Sequence, residues 1–91
     1  MEQLGNTAHA ALRRLLDGQP TTAAKVAFAW RMAVGAAVDR ATQADWRPDG
    51  VLVVRSRGEA WRRELKEARP LLLRRLQDLL GRDVVARLEV E

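Results

Sequence analysis

The sequence predicts an α+β fold, with helices covering a three-stranded sheet. Three observations carry the prediction. Apolar residues recur at helical spacing in two N-terminal segments and again from Trp61 to Leu79. They alternate in steps of two on either side of residue 50 and near the C-terminus. A turn tetrapeptide, Arg47-Pro48-Asp49-Gly50, joins the two middle runs.

Taken in order, Ala8, Ala11, Leu12, Leu15 and Leu16 mark a first helix from about Asn6 to Leu16, closed by Asp17-Gly18. Gln19-Pro20 breaks the pattern. A Thr21 or Thr22 hydroxyl can then accept from the open N–H groups of a second helix, whose apolar stripe is Ala23, Val26, Ala27, Trp30, Ala33 and Val34. Gly35 is expected to end or bend it. From Val38 the period changes to two, and Thr42, Ala44 and Trp46 alternate with Gln43 and Asp45 as a half-buried strand. After the turn, where Gly50 takes the left-handed position of a bulged hairpin, Val51–Val54 form the second strand, ended by Arg57-Gly58. Trp61, Leu65, Ala68, Leu72, Leu76 and Leu79 then follow helical spacing, with Leu80-Gly81 as the stop. Pro70 lies inside this stretch and removes a backbone donor, so either one kinked helix or two helices meeting near Ala68–Pro70 is expected. Val84, Ala86, Leu88 and Val90 alternate with Val85, Arg87, Glu89 and Glu91 as a last strand with one polar face. If that strand pairs in parallel with a hairpin strand, the 59–80 segment is the crossover.

The 91 residues suit a single domain, 1–91, with a modest core. No apolar stretch approaches the ~18–20 residues that cross a bilayer, and the first residues carry no export pattern. With no Cys there is neither a disulfide framework nor a thiolate metal site, and the expected compartment is the cytoplasm. The net charge is +4. Nearly all the cations are Arg, Ala is abundant and Ile is absent, as a GC-rich genome would produce, so distribution says more than the total. Residues 55–75 hold Arg55, Arg57, Arg62, Arg63, Lys66, Arg69, Arg74 and Arg75 against Glu59, Glu64 and Glu67, a local +5.

Catalysis has little material. One Ser (Ser56), one His (His9), no Cys and no Tyr cannot assemble a nucleophile, base and orienting group, and His9 reads as an exposed or boundary residue. The acidic residues are scattered among Arg, and no Gly-rich phosphate loop is present, so neither a metal, a cofactor nor a small-molecule substrate is expected. The basic run is the functional constellation. Arg62, Lys66 and Arg69 are spaced to share one helix face, which Arg55 and Arg57 can extend, and guanidinium groups bind phosphates bidentately. The competing arrangement is a solvated face in which Arg63 pairs with Glu59 or Glu67. Trp30 and Trp61 fall on apolar stripes and are expected in the core. Trp46, beside the hairpin turn, either caps the core or stands out as a stacking platform for a base.

These pieces, in order, resemble a known family. Trp30 with Val34-Gly35, Ala41-Thr42, Asp49-Gly50-Val51-Leu52-Val53-Val54, Ala60-Trp61, Glu64-Leu65, Pro70-Leu71-Leu72 and Leu79-Leu80-Gly81 resemble the bacterial DciA family over nearly the whole chain. The resemblance implies a KH-like domain that assists loading or operation of the replicative DNA helicase and has affinity for DNA, single- or double-stranded. A disordered tail often accompanies the domain in that family; the sequence ends at Glu91. Split at Pro70, the 59–80 segment yields α-β-β-α-α-β after the first helix, the order of a type II KH fold. RNA-binding KH domains clamp nucleotides with a GXXG loop at that helix junction. The junction here reads Glu67-Ala68-Arg69-Pro70, without glycine, so contact with nucleic acid falls to the Arg/Lys face. Two other functions fit the same residues: a protein-interaction module without nucleic-acid binding, and an RNA- or ribosome-associated KH-like protein.

Overall fold

The computed structural model describes the backbone of residues 2–91 and side chains from Ala10 onward. The expectations for Ala8 and His9 side chains lie outside these described residues. The chain forms α1 (Glu2–Asp17), α2 (Ala23–Val34), α3 (Ala36–Ala41), β1 (Thr42–Trp46), β2 (Val51–Ser56), α4 (Glu59–Leu80) and β3 (Arg87–Val90). The α+β layout with a three-stranded sheet is as the sequence predicts. β1 and β2 pair antiparallel with Trp46 opposite Leu52, and β2 pairs in parallel with β3, so β2 is central and α4 is the crossover.

The helices cover one face of the sheet. Leu52, Val54 and Leu88 point from that face into a core with Leu16, Val26, Ala29, Trp30, Leu65, Leu72 and Leu76. Val51 and Val53 are equally buried but belong to the opposite face, among the charged residues Asp45, Arg55, Arg87 and Glu89. The hairpin turn has the expected geometry: Gly50 N–H donates to Arg47 O at 3.0 Å and Gly50 has φ of 85°. Its carbonyl also accepts from Ala86 N at 2.8 Å, which fastens the turn to the start of the parallel partner.

Three local expectations are corrected, and the choice left open for residues 59–80 is decided. Residues 36–41, expected to begin an extended run at Val38, form a short helix. Gly35, at φ 88°, both ends α2 by donating to Arg31 O (2.8 Å) and starts α3 by accepting from Asp39 N (3.0 Å). The 59–80 segment is one helix, so the split that would complete a KH helix pair is not found. Leu65, Leu72, Leu76, Leu79 and Leu80 are buried, before and after Pro70, each contributing about 1.5–3 kcal/mol, more together than the ~3 kcal/mol that an internal proline costs. β3 is shorter than expected, because residues 84–86 lie outside the ladder. There Val84 O accepts from Trp46 Nε1 (2.8 Å) and Val85 O from Gln77 Nε2 (3.1 Å). Val85 is consequently fully buried and Ala86 exposed, the reverse of the simple alternation. Finally, Trp61 is half-buried on the α2 side of α4, whereas Trp30 is a core residue as expected.

Candidate nucleic-acid interface

The basic residues of the 55–75 segment do not form one face; the fold distributes them over several surfaces. Arg55 leaves β2 on the side of the sheet that no helix covers. Its Nε donates to Glu91 Oε2 at 2.9 Å, and Asp45 stands 4.0 Å away. The bond to Glu91 and its charge raise the Arg55 pKa above the ordinary arginine value, so this cation is permanently charged and held by its own chain. Arg75 points the other way, toward α2, where Nη1 donates to Ala33 O at 3.1 Å. That carbonyl lies in the last turn of α2, where a cation complements the exposed acceptors.

The remaining cations belong to α4 and the link before it. Helical spacing places Arg62, Lys66, Arg69 and Leu73 along the flank toward β3, as expected for the first three. Arg63, Glu67, Pro70, Arg74 and Asp78 follow one another on the outward face. Arg57 is exposed in the link between β2 and α4. Arg62 is half-buried, pairs with Glu59 at 3.8 Å and leaves its Nε buried without a hydrogen-bond partner. Among the described residues Arg63, Lys66, Arg69 and Arg74 make no ion pair, and each is exposed. The Arg63–Glu67 and Glu59–Arg63 pairings allowed by spacing are therefore not formed.

Beside this flank runs an open groove at the β3 edge of the sheet. A hollow of about 490 Å³ lies between Arg69, Pro70 and Leu73 of α4 and Arg87, Leu88 and Glu89 of β3. A second, of about 470 Å³, shares Pro70 and Leu73 with it and is bordered by Arg74, Asp78 and Arg82. Arg82 and Arg87 fall outside the 55–75 run, and only the strand pairing brings Arg87 to Arg69. Arg87 is tied to Glu89 at 3.0 Å. Trp46 does not join this groove. It stands in β1, the opposite edge of the sheet, half-buried against the core with its indole N–H committed to Val84 O.

Fold and charge together define a small α+β domain in which four exposed cations without ion pairs lie along one long helix, beside an apolar-floored groove. No cluster of three or more His, Cys, Asp or Glu side chains with metal-binding geometry occurs among the described residues. A family model described as "Dna[CI] antecedent, DciA" matches residues 3–90, and the chain belongs to the DciA family. At the family level this places it with helicase-loader-like proteins of bacterial DNA replication. No curated protein and no solved structure matches the chain. No helix is long and apolar enough to cross a membrane among the described residues.

Proposed function

We propose that this chain is a non-enzymatic cytoplasmic replication factor that assists loading or operation of the replicative DNA helicase and meets DNA through the basic side of α4. Family membership supports the helicase part of the reading. The observation that carries the DNA part is the freedom of Arg63, Lys66, Arg69 and Arg74, which spend none of their charge on internal ion pairs. Mounted on one rigid helix, these four present donors to successive phosphates without a conformational change. Arg57 and the half-buried Arg62 extend the surface toward the start of α4, and Arg82 and Arg87 border its groove. Phosphate contacts of this kind position a nucleic acid without reading its sequence, so little base preference is expected.

The test reverses charge at exposed sites. Lys66→Glu with Arg69→Glu should weaken binding of a labelled oligonucleotide by about tenfold or more at low salt, because charge-assisted contacts are lost and repulsion is added. Fluorescence anisotropy reads the affinity, and an unchanged thermal melt shows that the fold is intact. Unaltered affinity removes the α4 surface from the proposal. Retention of the purified replicative helicase on the immobilised wild-type protein tests the other part independently. RNA competitors included in the same titrations separate a DNA-binding factor from an RNA-associated one.

A further inference from the structure

On the side of the helical layer away from the β3 groove, α1 and α2 both rest on α4 and are splayed from each other. They run in opposite directions, so Leu12 of α1 stands across from Met32 of α2, and Leu15 across from Phe28. Between them lie two hollows, of about 210 and 360 Å³, which succeed one another by one helical turn along both walls. Leu15 is 59% exposed, Phe28 41% and Met32 44%, most of the large apolar side chains left in solvent among the described residues. Nothing in α1 or α2 requires this exposure, since the buried stripes are complete without them.

The charge around these hollows is of one sign. Lys25 lines the larger hollow and Arg75 the smaller, and no carboxylate lines either. Lys25 is unusual in being buried, with 9% of its surface exposed. Its ammonium carries three N–H donors, yet it has one protein acceptor, Gln19 O at 3.1 Å, and no ion pair among the described residues. A carboxylate seated in the hollow would supply the counter-ion that this side chain lacks among the described residues.

We propose that the α1–α2 groove docks an acidic amphipathic helix of a protein partner, which sets two apolar side chains one turn apart into the hollows and a carboxylate beside Lys25. The spacing is that of i and i+4 anchors on an α-helix, about 5.4 Å per turn. The groove is distinct from the surface of Arg63, Lys66, Arg69 and Arg74, so, resting on the function proposed above, the domain could hold a protein partner and a nucleic acid at the same time.

The probe is a fluorescent peptide of about 16 residues, long enough to form a helix, with Leu at i, i+4 and i+7 and Glu on both flanks. A second peptide carries Lys in place of Glu. Anisotropy should show the acidic peptide binding at least about tenfold more tightly than the basic one, with Phe28→Ser plus Met32→Ser abolishing that binding. Both substitutions are at exposed positions, so the fold is retained. Lys25→Met should remove most of the preference for Glu flanks while leaving the apolar contribution. Equal binding of the two peptides, no binding of either, or binding unaffected by the double substitution overturns the proposal. Self-association of the protein alone in sedimentation, lost in the Phe28/Met32 variant, would assign the groove to a second copy and overturn it as well.

Discussion

Thr42 shows how one side chain can hold three elements. Its Oγ1 donates to Val38 O of α3 (2.8 Å) and accepts from Trp30 Nε1 of α2 (3.1 Å), while its backbone starts β1. Trp30 is 1% exposed, so its indole N–H has no water to fall back on. Thr42→Val keeps the shape and the strand preference but orphans that donor, at a cost of about 1–3 kcal/mol. In a domain of this size each kcal/mol lowers Tm by roughly 4–8 °C, so calorimetry resolves the loss. Thr42→Ser, which keeps the hydroxyl, should lose much less. Periodicity singled out Trp30 as a core residue because it sits at the centre of an apolar stripe. It misplaced Trp61, which begins its stripe in the first turn of α4, where spacing alone does not distinguish core from rim. The Arg55–Glu91 bond joins residues 36 apart in sequence, and no local pattern announces it.

At the scale of elements, Pro70 separates what local chemistry dictates from what packing decides. Read alone, Ala68-Arg69-Pro70 is a helix boundary, yet α4 continues through it because leucines on either side enter the same core. The helix is still short of one hydrogen bond at that point, since Lys66 O has no N–H four residues on. Pro70→Ala should therefore stabilise the protein, by about 1–2 kcal/mol once the added freedom of the unfolded chain is subtracted. Urea titration measures the gain, and nucleic-acid binding should be unchanged. A loss of stability would mean that α4 depends on the geometry proline imposes. The hairpin was legible for the opposite reason: Arg47-Pro48-Asp49-Gly50 specifies its turn without help from distant residues. α3 and the first residues of the expected third strand were not legible. The Val84 and Val85 carbonyls are satisfied by Trp46 and Gln77, and α3 is tied through Thr42 to Trp30 of α2, partners set by the tertiary fold.

Across the whole molecule, the local excess of positive charge in residues 55–75 is real, but the fold sorts it by what each cation faces. Arg55 and Arg75 are held by the protein, Arg62 is partly so, and Arg63, Lys66, Arg69 and Arg74 remain free on α4. The helix spacing that grouped Arg62, Lys66 and Arg69 was readable from sequence; the loss of Arg55 and the arrival of Arg82 and Arg87 depended on strand pairing. This sorting has a thermodynamic signature. Each phosphate neutralised on a single strand contributes about −0.7 to the slope of log K against log salt, so four free cations predict a slope of about −3. On duplex DNA, at about −0.9 per contact, the same four predict nearer −3.6. Lys66→Glu with Arg69→Glu should bring the single-strand slope to about −1.4 or shallower, whereas Arg55→Ala should leave it unchanged because that cation is already spent on Glu91. Anisotropy titrations between 50 and 300 mM salt measure all three. A slope near −5 or beyond would require the whole basic run to act together, and a wild-type slope that Arg55→Ala reduces as much as the α4 pair would place the nucleic acid on the open sheet face instead.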